Sequence, residues 1–473
     1  MWFSKLALTA LLTPCLASVI QLSVPSAGNV VTEIDHILHP LPKSLSVEQH
    51  YLDKESKLVR KLCTLKARGN EKCDVDNLVR AVGECGHGGI INLPDPVYTI
   101  GKPLILHLSH ATLSVHGFLT FTNDTSYWIR HVYRLPFQNQ SLAFIVEGND
   151  FVLDGHDTGG IDGNGQAWYD LAKDYGNYPK RNAKNVVVKN WSIIQPQFWA
   201  SITIDTENVL FRDFYVNATS YNPDAPFEQK SWLQNTDGLD TYRSHNVTVG
   251  EDIVIQSWKV RLRESENFVY QGGDDCVALK PNSTSITLRN ITCFGGTGIA
   301  FGSIGQYEGV VDVIEDVLME DMKLYPSNQS PGYQGVYFKS WMGIDVLGTG
   351  WARNITVRDV YMEDIWHPIV VTSALTYLEE KYRVPDTGTF QWYDIHLSNF
   401  TGTASGNRVV WMDCSKAAPC HDWTFDRIDI QPEKTDHKEI EYVCNNFVLG
   451  GRDGLPGCHP SSSKRETDSG GTI

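Results

Sequence analysis

The sequence predicts an all-β chain coiled as a parallel β-solenoid, with a helix capping its N-terminal end. Three observations lead there. First, a nine-residue pattern recurs in which Asn, Asp or Ser precedes alternating apolar residues. It reads NVVVKNWSI (185–193), NVLFRDFYV (208–216), NVTVGEDIV (246–254), SITLRNITC (285–293), DVLMEDMKL (316–324), NITVRDVYM (354–362), DIHLSNFTG (394–402) and DWTFDRIDI (422–430). Second, the starts are separated by 23, 38, 39, 31, 38, 40 and 28 residues, so the shortest spacing fits one solenoid turn and the longer ones fit turns with insertions. Third, the repeats are β-branched, alternate with period two, and are broken by Gly, Asn and Asp. A β-sandwich remains the structural alternative, whereas a propeller would repeat more evenly.

The 473 residues are 41% hydrophobic and 20% charged, an ordinary globular composition. Residues 1–17 read as a secretory signal, with Lys5 before the short apolar run Leu6–Leu16 and Ala17 as the small residue at the cleavage position. Residues 18–50 form an N-terminal arm, 51–460 the catalytic β-helix domain, and 461–473 a polar tail expected to be disordered. Val75, Leu78, Val79 and Val82 fall at helical spacing behind Asp74, a candidate N-cap, and Gly86–Gly89 ends this helix before the strand-like Ile90–Leu93.

Ten Asn-x-Ser/Thr sequons, at Asn123, Asn139, Asn190, Asn217, Asn246, Asn282, Asn290, Asn328, Asn354 and Asn399, agree with a secreted, surface-glycosylated chain. Ten cysteines are present, with Cys15 inside the signal. Proximity in sequence pairs Cys276 with Cys293, Cys414 with Cys420 and Cys444 with Cys458. Cys63, Cys73 and Cys85 share one bridge and one free thiol, in an order that the sequence leaves open. The net charge of −16 argues against nucleic acid and anionic membranes as partners, and a polyanionic substrate would need a local basic site. A monomer is expected.

The chemistry centres on Gln271-Gly272-Gly273-Asp274-Asp275-Cys276 and Asn235-Thr236-Asp237-Gly238-Leu239-Asp240. Adjacent carboxylates repel, which raises one of them and suits unlike acid and base roles. Asp237 lies 29 residues after the repeat start Asn208, and Asp275 lies 29 after Asn246. Equal offsets put both carboxylates on one face, one rung apart, roughly 5 Å along the stack. Asp274 follows the Gly272-Gly273 turn and points into the same cleft, and a Cys276–Cys293 bridge would clamp neighbouring rungs. Lys339 falls further along that face. Three carboxylates, a lysine and aromatics on one face suit cleavage of a polysaccharide, where one carboxyl donates a proton and another activates water. No histidine shows metal-ligand spacing, His245 and His367 included, and the Asp-rich turns match no calcium loop, so neither metal nor cofactor is expected. Trp341 and Trp366 suit sugar stacking and coil packing equally.

The order NTDG (235–238), GGDDC (272–276), CFGGTGI (293–299) and a strand carrying Lys339 resembles the polygalacturonases of glycoside hydrolase family 28, over about residues 60–430. The resemblance implies a right-handed, single-stranded parallel β-helix of the pectin-lyase-like kind and an inverting hydrolysis. It implies Asp274 as general acid and Asp237 and Asp275 as the groups activating water. The chain departs twice, with Thr297 in place of a histidine and Tyr337 in place of an arginine two residues before Lys339. Thr297, Tyr337 and Lys339 are therefore expected to set the choice of sugar. The run Gly302–Tyr307, with Gln306 and Tyr307 as further substrate-binding candidates, is similar to the fungal exo-acting branch. The insertion Tyr221–Gln234 could wall off one end of the cleft. The expected function is release of terminal galacturonic acid from pectic chains. The alternatives are the same chemistry on a rhamnogalacturonan backbone, a pectate lyase, and a non-catalytic carbohydrate-binding solenoid.

Overall fold

The computed structural model describes residues 60–448 apart from 135–140, 173–183, 223–232, 234, 251–267, 344–347, 376–385 and 433–438, together with Leu455 and Cys458. The expected signal, arm and tail, the sequon Asn139 and most of the Tyr221–Gln234 insertion lie outside the described residues.

Twenty-three strands form one continuous parallel arrangement, and a separate antiparallel pair joins Tyr133–Arg134 to Ser141–Leu142. The opening strands of all eight repeats stack in a single register, and after Val249 the third coil resumes beside Phe214–Asn217 at Phe268–Gln271. The second position of each lies opposite the second position of the next, through Val186, Val209, Val247, Ile286, Val317, Ile355, Ile395 and Trp423. Each of these side chains is buried. Period-two alternation sends every second side chain inward, and parallel rungs place like residues above one another. The core is therefore a set of columns. Phe301 stacks on Phe338 at 4.5 Å between ring centres, and Phe214 on Phe268 at 5.5 Å.

The corners explain the polar residue that opens each repeat. Asn185, Asn208, Asn246, Ser285, Asp316, Asn354, Asp394 and Asp422 all have φ between 50° and 59°. A left-handed residue bends the strand from one face to the next, and Asn and Asp tolerate that conformation better than other side chains. A second corner follows five residues on, at Asn190, Asp213, Asn290, Asp321, Asp359, Asn399 and Arg427, again with positive φ. The amides then link coil to coil. Asn208 Nδ2 donates to Asn185 Oδ1 at 2.7 Å, Asn246 Nδ2 to Asn208 Oδ1 at 2.7 Å, and Asn354 Nδ2 to Asp316 Oδ1 at 2.6 Å. Four sequon asparagines, Asn190, Asn246, Asn354 and Asn399, donate Nδ2 in these ladders, so their recurrence has a structural cause independent of glycosylation.

The helix Val75–Cys85 packs on the strands Leu62–Thr64, Ile90–Leu93 and Leu104–Ser109 at the N-terminal end, burying Val75, Leu78, Val82 and Cys85. Asp74 occupies the expected N-cap position, but its side chain makes no capping bond to the helix. Its carboxylate accepts from the backbone N–H groups of Arg68 and Thr99 at 2.8 and 2.9 Å, tying the helix start to two flanking segments. Cys63 bonds Cys85, so of these three Cys73 stays outside a disulfide, and the three pairs expected from proximity form. No helix among the described residues is long and apolar enough to cross a membrane.

Replacing Asn208 tests the ladder. Asn208→Ala loses two hydrogen bonds, net about 1 kcal/mol each, and places a residue less suited to it in the left-handed region. Asn208→Gly loses only the bonds. Thermal unfolding should show both midpoints lowered, the alanine variant more than the glycine variant.

Candidate active site

One face of the coil carries the site. Its strands are Ile202–Ile204, Leu239–Tyr242, Asp275–Leu279, Thr297–Ile304, Gly332–Trp341, the C-terminal part of Thr349–Leu375, Arg408–Asp413 and Glu441–Asn445. Leu239 lies opposite Val277, and Gly238 N–H donates to Asp275 O at 2.9 Å, so Asp237 and Asp275 occupy neighbouring rungs. Their equal offset from the repeat starts has an unexpected origin. Asn217 to Asp237 spans 20 residues where the partners Gln271 to Asp275 span 4, and Val249 to Phe268 spans 19 where the partners Phe211 to Phe214 span 3. Two insertions of equal excess, in different turns, cancel.

Asp274 is held by its turn. Asn235 N–H donates to Asp274 Oδ2 at 2.6 Å and Asp275 N–H to Asp274 Oδ1 at 2.8 Å. Beneath it, the Tyr270 hydroxyl accepts from Asp274 N–H at 3.1 Å and lies 3.1 Å from Thr236 O. Asp274 is partly exposed, while Asp237 and Asp275 are buried. The three offer oxygens that all lie within 4.8 Å of one another.

Two ammonium groups balance this charge. Lys339 Nζ donates to Asp275 Oδ2 at 2.7 Å, reaching across the intervening strand over Gly302. Gly302 has φ +114°, and a Cβ there would sit 3.2 Å from Lys339 Cγ and 2.2 Å from Lys339 O, so a side chain would block the reach. Lys280, 4% exposed, places Nζ 3.3 Å from Asp237 Oδ2, 3.7 Å from Asp240 Oδ2 and 3.8 Å from Asp275 Oδ2. The sequence reading missed Lys280 and the role of Asp240. The available signal was a lysine closing the apolar strand behind the acidic pair, two residues beyond the outward-facing Ala278.

Desolvation dominates the ionisation of the cluster. Burial and the charge of Asp275 push Asp274 up, which suits an acid. Asp237 is pushed well above the carboxylate range by burial and by Asp240 and Asp274, against the pull of Lys280. Burial raises Asp240 to about 7, with Lys280 opposing. A divalent cation is chemically conceivable among Asp237, Asp274 and Asp275, the acidic group among the described residues whose oxygens converge closely enough to hold one. Lys280 and Lys339 already stand against those carboxylates, so an ion would have to displace or repel them.

The other expected residues take several positions. Thr297 lies opposite Asp275 on the next rung, and its hydroxyl donates to Gln334 Oε1 at 2.8 Å. Tyr337 faces outward, with Lys339 Nζ 5.3 Å from its ring centre. Tyr307 packs on an outward-facing apolar patch of Leu142, Ile145, Trp199, Ile202 and Ile204, and Gln306 sits beside it in the same loop. His367 is buried and stacked on Trp366, with burial and Arg408 holding it at about 4.

Three carboxylates flanked by lysines on a parallel β-helix define a glycoside hydrolase of the polysaccharide-cleaving kind. The model of glycosyl hydrolases family 28 matches residues 107–448, and the chain belongs to that family. It is 41% identical to a candidate galacturan 1,4-alpha-galacturonidase A of Aspergillus flavus, over 83% of this chain and 92% of that one. It is 30% identical to an alpha-L-rhamnosidase of Aspergillus niger, over 82% and 88% of the two chains. Among solved structures, the endo-xylogalacturonan hydrolase of Aspergillus tubingensis superposes with a TM-score of 0.64 at 23% identity, covering 85% of this chain and 100% of that one. The right-handed parallel β-helix is the shared fold.

Stability should depend on pH through Asp240. Its folded-state value of about 7 exceeds its unfolded value, so the folded chain binds the extra proton between about pH 4 and 7. The unfolding temperature therefore falls as pH rises through that window, and Asp240→Asn flattens the slope. A wild-type slope of the opposite sign would contradict the burial argument.

Proposed function

We propose that the chain is a secreted, exo-acting hydrolase that releases terminal galacturonic acid from pectic chains. The observation that carries the exo reading is the apolar wall beside the site. Ile202 lies opposite Asp240, and the buried Ile145 and Ile202 belong to one apolar cluster on which Ile105, Tyr242 and Tyr307 pack. An apolar cluster offers a charged polymer no ionic partner on this side of the acids, which supports a cleft that takes a chain terminus. The names of the similar proteins and the four disulfides, which belong to oxidising compartments, support the same reading.

In this mechanism Asp274, raised by burial, donates its proton to the leaving glycosidic oxygen. Asp275, anchored by Lys339, and Asp237, beside Lys280, hold the attacking water. The carboxylate oxygens lie within 4.8 Å, closer than the roughly 6.5–9.5 Å usual for inverting pairs. Single displacement therefore requires the water to lodge against Asp237 and Asp275 instead of in a wide gap opposite the acid. No covalent sugar forms on the protein; the water oxygen bonds to the anomeric carbon as the glycosidic bond breaks.

A specific observation favours a second reading. Beyond Asp240 the outward column runs Ala278, Ala300, Tyr337, Val370 and Trp411. Most of this column is buried; Tyr337 is its partly exposed member, and an aromatic ring there suits a neighbouring sugar without a carboxylate, as in a rhamnogalacturonan backbone.

Incubation with polygalacturonate and with rhamnogalacturonan, separately, decides between them by product sizing. Monomeric galacturonate from the first, without ultraviolet-absorbing unsaturated ends, is the expected result. A ladder of oligomers would refute exo action, and release only from the second would establish the rival. Proton NMR during turnover should show the inverted anomer first, and a retained anomer would overturn single displacement. Asp275→Asn should cut turnover by about 10²–10⁴-fold while circular dichroism shows a folded coil.

A further inference from the structure

The mechanism leaves two buried ionisable residues without a part: Lys280, with its ammonium 3.3 Å from Asp237, and Asp240, on the strand that follows Asp237. Asp240 is fully buried, and neither of its carboxylate oxygens has a hydrogen-bond partner. Its charge partner is Lys280 at 3.7 Å. Lys280 is itself too buried to clamp a substrate, and its ammonium also lies 4.6 Å from the centre of the Trp199 ring. A fully buried carboxylate that forms no hydrogen bond contributes little to holding strands together. Its effect is on the charges around it.

We propose that Lys280 is a positioning residue for hydrolysis. Its ammonium, fixed by Asp240 and the Trp199 ring, holds the Asp237 carboxylate in the place and charge state needed to grip the water. The inference rests on the reading that Asp237 and Asp275 hold that water.

Charge arithmetic shows why a lysine is required there. Asp237, Asp240, Asp274 and Asp275 crowd one face, and Lys339 lies against Asp275 at 2.7 Å. Among the described residues, Lys280 is the cation within 4 Å of Asp237. The charged and titratable groups facing Asp237 are Asp240 from its own strand, Asp274 and Tyr270 from the turn before Asp275, and Asp275 and Lys280 from the next rung. Lys339 stands behind Asp275. Trp199, which carries no charge, lies against the Lys280 ammonium. Lys280 therefore opposes three like charges and the cost of burial at once, and an opposite charge at this distance moves a carboxylate by about 1–3 pH units.

The test is the pH profile of kcat/KM for sugar release by the full chain. In Lys280→Met the acidic limb should move up by about 1–3 pH units. Lys280→Arg keeps the charge and should hold the limb near its wild-type position. A merely structural lysine would lower kcat in the variants and leave the limb where it is, which would overturn the proposal. Should Lys280→Met fail to fold, Lys280→Gln removes the same charge with a polar side chain, and a stationary limb in that variant overturns the proposal equally. Asp237→Asn separates the two levels. If that variant retains turnover, the water-holding reading itself is wrong. If it is inactive while the limb stays fixed in the other variants, only the role of Lys280 fails.

Discussion

Each coil turns its corners on residues in the left-handed region, which costs an ordinary L-residue about 1–2 kcal/mol and an asparagine or aspartate less. Because the bend falls at the same point of every repeat, the next strand starts in the same place and parallel pairing stays in register across eight repeats. The amide ladder then makes the corner cooperative, since Asn208 both accepts from Asn246 and donates to Asn185. Inward columns of Val, Ile and Phe follow from that register, and so does the alignment of outward columns on the site face. Asp275 can meet a lysine two strands away because the rungs between them stay in register as far as Gly302 and Lys339.

That register was legible in the sequence because the repeat writes its corner residue and its alternation together. What the sequence obscured was where the insertions fall. Asp237 and Asp275 share an offset only because insertions of equal excess interrupt different turns, so a one-residue change in either would have spoiled the inference without moving the site. Sequence proximity identified three disulfides, but Cys63, Cys73 and Cys85 needed the helix to bring Cys85 against Cys63. Asp74 was read as a cap from its position, yet its carboxylate serves backbone groups of residues 68 and 99, which no local pattern reveals. The sequons illustrate the opposite error. A pattern with a biosynthetic meaning arises in part from the corner asparagines, several of which are followed two residues later by a strand-favouring Thr.

The site shows the same division. Paired acids and glycines were visible as motifs, and their chemistry could be stated from residue type. The balance of charge was not visible, because it depends on side chains converging from separate rungs. Tyr337 looks like the loss of a cation when the strand is read alone. In three dimensions the cluster has two ammonium groups, Lys339 over Gly302 and Lys280 from the strand end. Positive charge is therefore supplied from within the wall, leaving the outward column apolar.

This placement separates two tasks that a surface cation would combine. A cation on the cleft floor both balances the aspartates and recognises a substrate carboxylate, so changing one changes the other. Lys280 is buried against Asp237, Asp240 and Asp275, and it can act on ionisation without touching a sugar. Substrate recognition is then free to vary at Thr297 and Tyr337 without altering the charge state of the acids. A cluster that keeps its own counter-ions inside the coil can hold its ionisation constant while the neighbouring rungs vary.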